Sequence, residues 1–116
     1  MLLIHQGTTP TPRDPEAWGK LSEDEQRAVY AAYQEINQNP AVTPGVQMDG
    51  PEMATTVRVE DGKTLTTDGP FVEIKEAIGG YLFVDAANLD EAIEVASKIP
   101  AASMGGAIEV RPIVER

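Results

Sequence analysis

Two helix-start signals, set between short β-prone runs, constrain this chain more than any other feature. Ser22 stands three residues ahead of Glu25, and Asn88 three residues ahead of Glu91. In each pair the side chains can satisfy backbone donors that a helix start leaves orphaned. Behind Ser22, Val29, Tyr33 and Ile36 recur at helical spacing with Ala32 beside them, and Asn37, Asn39 and Pro40 end the segment. Behind Asn88, the residues Leu89, Ala92, Ile93, Ala96 and Ile99 form the expected buried stripe, and Pro100 stops it. Around these helices lie extended runs: Met1 to His5, a hairpin over 55–67 turning at Asp61-Gly62, Tyr81 to Asp85, and an alternating run from Ala107 to Val114. A further short strand is expected near Val46 to Met48. The order β, α, β-hairpin, β, α, β predicts an α+β domain with two helices on an antiparallel sheet, the ferredoxin-like arrangement. Ile108 and Val110 face one way and Ile113 the other, so apolar residues on both faces of the last strand predict a partner sheet from a homodimer.

The chain of 116 residues is read as a single domain spanning 1–116. With no cysteine and one histidine, His5, it offers no disulfide framework, no thiolate chemistry and no multi-histidine metal site within one protomer. Neither a metal nor a cofactor is expected. Nineteen acidic residues against nine basic give a net charge of -10. The basic residues are scattered, so a phosphate backbone would be repelled and nucleic-acid binding is not expected. No run approaches the length of a membrane span, and no secretion signal is read at the start, so the expectation is a cytoplasmic protein that does not engage membranes.

Residues 6–20 read as a long loop, because Gly7, Pro10, Pro12 and Pro15 break regular structure. Trp18, at its end, reads as a hydrophobic clamp on the following helix. The return strand of the hairpin runs into Asp68-Gly69-Pro70-Phe71, where glycine permits a positive φ and proline fixes its own. That turn aims Asp68 and Phe71 in chosen directions. His5 and Asp68 are the candidate acid–base pair, since histidine is the natural proton shuttle near neutral pH and a carboxylate orients it. The competing reading makes His5 a hydrogen-bonded structural residue and Asp68 a turn former. Glu73 is the reserve carboxylate. For ligand contact the candidates are Phe71, Lys75, Tyr33 and Arg58. Their structural alternatives are an anchor for the turn (Phe71), an ion pair or solvated face (Lys75 with Glu73 and Glu76), core packing (Tyr33) and an interface salt bridge (Arg58).

Several stretches, taken in order, resemble the YCII-related domain family, in the longer branch called the DGPF domain. They are Met1-Leu2-Leu3-Ile4-His5, Ala54 to Val59, Asp61-Gly62, Thr67 to Phe71, Glu73-Ile74-Lys75-Glu76 and Gly79-Gly80-Tyr81. Leu89-Asp90-Glu91-Ala92, Ile99-Pro100-Ala101-Ala102, Gly105-Gly106 and Glu109 to Pro112 complete the set. The proline-rich stretches at 8–15 and 40–51 are the least typical. The resemblance implies a ferredoxin-like protomer forming a dimeric α/β barrel, packed sheet to sheet, with a pocket in each protomer. It implies no settled activity. Shorter members resemble enzymes with a His–Asp pair, the histidine on the first helix and the aspartate before a proline after the second, and one acts as a dehydrochlorinase on a hydroxylated aromatic. Here the first helix carries no histidine, and Ile99 stands before Pro100, so that pair does not carry over.

Two readings therefore stand. One is a non-catalytic or accessory dimeric module that binds a small ligand or a protein; the missing dyad tilts toward it. The other is a cofactor-free lyase or isomerase using acid–base chemistry on a small molecule, with a hydroxylated aromatic as one candidate class.

Overall fold

The computed structural model describes residues 1–68 and 78–115. The elements run β1 (Leu2–His5), α1 (Pro15–Gly19), α2 (Glu23–Gln38), β2 (Val42–Thr43), β3 (Thr55–Glu60), β4 (Lys63–Asp68), β5 (Ile78–Val84), α3 (Leu89–Ser97) and β6 (Ala107–Val110). A four-stranded sheet has the order β2-β5-β1-β6, and every neighbouring pair is antiparallel. With α2 after β1 and α3 after β5, this α+β arrangement is compatible with a ferredoxin-like protomer.

Alternation sets the two faces of the sheet. Leu2 and Ile4 of β1 are buried, as are Val42 of β2 and Leu82 of β5. They meet Ile36 of α2, Ala96 of α3, Ile99 and Ala101 in one core, with Tyr33, Val84, Val95, Ile108 and Val110 packed against it. Leu2 and Ile99 are fully enclosed, at 0% exposure; burial of each contributes about 1.5–3 kcal/mol relative to an exposed side chain. Leu3, His5, Tyr81, Phe83 and Glu109 point to the opposite face, where they are half-buried.

Both helix starts form as the sequence predicts. Ser22 Oγ accepts from the Glu25 N–H at 3.1 Å, and Glu25 Oε1 accepts from the Ser22 N–H at 3.0 Å. Asn88 Oδ1 accepts from the Glu91 N–H at 3.0 Å. The stripe of α3 differs from expectation: Ala92, Ala96 and Ile99 are buried and Val95 joins the core, whereas Leu89 is 61% and Ile93 47% exposed. The face that matters is set by the 92, 95/96, 99 spacing, and Leu89 and Ile93 lie to one side of it.

Four boundaries also differ. Residues 15–19 are helical: Asp14 caps Ala17, and Pro15 occupies the first helical position, where its missing N–H costs nothing. The strand after α2 is β2 at Val42–Thr43; the Val46 to Met48 segment continues along β5 through a single bridge from Gln47 to Gly80. The strand expected at Tyr81 begins earlier, at Ile78, and takes in Gly79 and Gly80. The last strand stops at Val110. Arg111 still donates to Met1 O at 2.9 Å, but the β1 register ends there and Pro112 has no N–H to give. Ile113 and Val114 are consequently exposed.

The hairpin over 55–67 forms as expected, in register from Thr55–Asp68 to Glu60–Lys63. Asp61 (φ 50) and Gly62 (φ 75) both adopt the left-handed conformation that a two-residue type I′ turn requires. It stands as a separate two-stranded sheet and is not part of the four-stranded one. Val57, Val59 and Leu65 are exposed on it. No helix is long and apolar enough to cross a membrane, among the described residues.

Candidate functional site

A cavity of about 280 Å³ lies between α2 and the helix-covered face of the sheet. Its floor is Ile4, Gly80 and Leu82; its helical wall is Val29, Tyr30, Tyr33 and Asn37; its roof is the 9–12 segment with Trp18; its outer edge is Gly45, Val46 and Gln47. Local chemistry fixes each wall. The Gln6 carbonyl accepts from the Thr9 N–H at 2.9 Å, and Thr8 N–H reaches Gly105 O at 3.1 Å, so the chain turns sharply off the end of β1. Asp14 then caps α1. Gln26 of α2 donates to the Trp18 carbonyl at 2.9 Å, pinning α1 to α2. The Trp18 ring meets Tyr30 edge to face, with centroids 5.6 Å apart and planes at 75°. Trp18 is thus the clamp the sequence suggests, and it lines a cavity as well.

Close backbone approach forms the outer edge. Met48 N–H donates to Gly79 O at 2.8 Å, and Tyr81 N–H to Val46 O at 3.4 Å. Gly45 lies directly on the Tyr81 carbonyl, where a Cβ would collide. Gln6 and Thr9 line the cavity, and Gln6 Oε1 and Thr9 Oγ1 are buried with no hydrogen-bond partner among the described residues. Both residues also line a neighbouring cavity of about 430 Å³; buried polar atoms are nearly always paired, so the two orphans mark a place where a bound molecule can supply partners. Burial raises the pKa of the Tyr33 phenol above its ordinary 10.0, which keeps it a neutral donor.

The one histidine sits elsewhere. His5 closes β1 on the sheet face away from α2 and α3, opposite the side that carries the cavity, and Nε2–H donates to Glu109 Oε1 at 3.3 Å. Glu109 Oε2 is ion-paired with the Arg111 guanidinium. Partial desolvation pushes the Glu109 carboxyl up, but hydrogen bonds from His5 and Arg111, reinforced by their charges, outweigh it and hold the pKa below 4.5. The bond to Glu109 needs a proton on Nε2; Nδ1 is buried and unpartnered among the described residues.

Of the residues singled out from sequence, Tyr33 lines the cavity, while His5 lies across the sheet from it. Arg58 is on β3, with Glu60 at 4.0 Å. The Asp68 backbone closes the hairpin opposite Thr55. Its side chain, and with it the His5–Asp68 pairing, lies outside the described residues, as do Phe71, Glu73 and Lys75. Sequence reasoning missed Glu109 as the His5 partner. The signal was present: β1 and β6 are neighbours in a ferredoxin-like order, so Glu109 and His5, on alternating positions, share a face. It also missed Gln6 and Thr9, where only the breaks at Gly7 and Pro10 hinted at a turn that pulls both inward. No group of three or more residues suited to metal binding occurs among the described residues.

A family model of the YCII-related domain matches residues 13–116. An uncharacterised protein of Rhizobium meliloti (strain 1021) is 35% identical over 100 residues, which cover 84% of this chain and 80% of that protein.

Proposed function

The chain belongs to the YCII-related domain family, and we propose that it is a non-catalytic module that binds a small molecule in the cavity under α2 and pairs with a second copy as a dimeric α+β barrel. One observation carries the binding reading: a cavity of about 280 Å³, walled by rings and lined by two residues with orphaned polar atoms. Ligand sites are concave and mostly apolar, with a few placed polar groups. The pairing is supported by the sheet face away from the helices, where half-buried Leu3, Tyr81 and Phe83 stand with His5 and Glu109, and Tyr81 and Phe83 meet edge to face at 5.7 Å. A helix-free sheet face bearing such rings is suited to a second sheet.

The test is a thermal-shift screen of small molecules against the protein and a cavity-filled Tyr33→Trp variant, with light scattering on both. Hits should raise the parent's melting temperature and lose that effect in the variant, and the parent should scatter as twice the chain mass. Hits that act equally on both would overturn the cavity reading; a monomeric parent would overturn the pairing.

A second reading rests on the His5–Glu109 pair. There the chain is a cofactor-free lyase or isomerase acting on a small, hydroxylated aromatic molecule, His5 moving the proton and Glu109 holding the ring, with Asp68 and Glu73 as further candidate carboxylates. It is the weaker reading because Nε2 is engaged by Glu109 and Nδ1 is enclosed. It predicts that His5→Gln abolishes turnover with stability and pairing intact.

A further inference from the structure

We infer that the cavity under α2 selects an uncharged, ring-containing ligand of about bicyclic size that carries an O–H or N–H donor, and turns away carboxylates and ammonium groups of the same shape. This rests on the reading of that cavity as a ligand site, and adds what the site discriminates.

The first observation is charge. The chain carries 28 charged side chains, 19 acidic and 9 basic, yet none lines the cavity among the described residues. An ion entering it would lose water and meet no counter-charge among the described residues that line it, the nearest being Arg13, Asp14, Asp49 and Glu52 around the neighbouring cavity, and that costs more than the same change for a neutral molecule. The second is the wall. The sole tryptophan and all three tyrosines line it, Trp18, Tyr30 and Tyr33 from the helical side and Tyr81 from β5, so this one site gathers residues of an aromatic-poor chain and favours a flat partner. A cation cage would need ring faces aimed at a common point. Trp18 instead meets Tyr30 at 75°, edge against face, so these two rings are spent on each other.

The third observation is polarity. Gln6 Oε1 is an orphaned acceptor and asks for a donor; Thr9 Oγ1 can accept or donate. The Gln6 stem is held at the cavity, because its Cγ is seated directly against Gly79. A carboxylate brings acceptors only and pairs with Gln6 only if the amide turns over to offer Nε2, which leaves the charge itself uncompensated. Size follows from volume: a dry cavity of about 150 Å³ holds benzene, and this one is about 280 Å³, space for two fused rings.

The experiment uses the full chain at pH 7 and four probes on one ring system: 2-naphthol, 2-naphthoate, 2-naphthyltrimethylammonium and 2-methylnaphthalene. Affinity is read by calorimetry and the site by the Trp18 indole signal in nitrogen–proton NMR spectra. 2-Naphthol should bind at least about tenfold more tightly than either ion. Gln6→Met should weaken 2-naphthol by about fivefold, the worth of one net hydrogen bond, and leave 2-methylnaphthalene unchanged, which also shows that the variant keeps its cavity. Ions that bind as tightly as 2-naphthol, with the Trp18 signal moving, would overturn the selectivity while the cavity remains a ligand site. Equal loss of both neutral probes in Gln6→Met, or no loss of either, would overturn the role of the donor. A Trp18 signal unmoved by all four would remove the ligand site itself.

Discussion

Gly45 is the residue whose replacement tests the outer edge of the cavity most directly. The chain at 45–48 lies so close on β5 that a Cβ at position 45 would collide with the Tyr81 carbonyl, its carbon at 2.7 Å and the Tyr81 ring at 2.9 Å. Backbone atoms within a sheet cannot step aside as the tip of a long side chain can. Gly45→Ala must therefore lift the segment, and two bonds go with it: Met48 N–H to Gly79 O and Tyr81 N–H to Val46 O. At about 1 kcal/mol net for each bond, and a comparable amount for the loosened wall, the loss is about 2–3 kcal/mol. For a domain of this size that lowers the melting temperature by about 8–12 °C. Gly19→Ala is the matched control, since nothing lies within 4 Å of a Cβ there, and its melting temperature should stay within about 2 °C of the parent. Differential scanning calorimetry on the three proteins reads the difference, and amide exchange locates it at Met48 and Tyr81. A Gly45→Ala variant that melts with the Gly19→Ala control, its Met48 and Tyr81 amides still protected, would refute the close approach on which the cavity edge depends.

Two further outcomes depend on pH. The Glu109 pKa is lower in the folded protein than its ordinary 4.5, because His5 and Arg111 favour the carboxylate more than desolvation disfavours it; its contribution to stability is therefore present above 4.5 and is lost as pH falls through the lower folded value. Urea midpoints from pH 6 down to pH 3 should show the parent converging on Glu109→Gln at the acid end, and a gap that does not close would contradict the His5–Glu109–Arg111 arrangement. The Tyr33 phenol is shifted the other way, so its contribution holds below pH 10.0 and fades as pH rises through the higher folded value. The phenolate absorbance that disappears in Tyr33→Phe should titrate above 10.0 in the parent; a component titrating at or below it would show Tyr33 to be open to solvent.

Elements governed by neighbours in sequence were legible; those governed by distant partners were not. The caps at Ser22 and Asn88 and the Asp61-Gly62 turn involve residues two or three apart, and each formed as the sequence predicts. The short α1 was missed because three prolines between 10 and 15 read as breakers, although Pro15 behind Asp14 is a helix start. The hairpin was legible as a hairpin, but nothing within 55–67 says that it stands off the main sheet, which depends on β2 and β5 pairing without it. His5 stood out as the lone histidine. Glu109, one acid among nineteen, acquires meaning only when β6 is laid beside β1. Gln6 and Thr9 carry no recognisable chemistry until the turn at Gly7 folds them over the core.

The position of β1 also bears on how the domain assembles. Leu2 is in register with Leu82 on one side and Val110 on the other, so the central strand of the sheet is completed only by two of the most distant segments of the chain. Closing loops of that length before any contact rewards them is the step that slows folding. The caps on α2 and α3 and the turn of the hairpin can form early on their own, but the core around Leu2 cannot, and the domain should cross its barrier in one late event in which β5, β1 and β6 zip together. Refolding should therefore be slow for a chain of this length, and mutations at Leu2 should slow folding more than they speed unfolding.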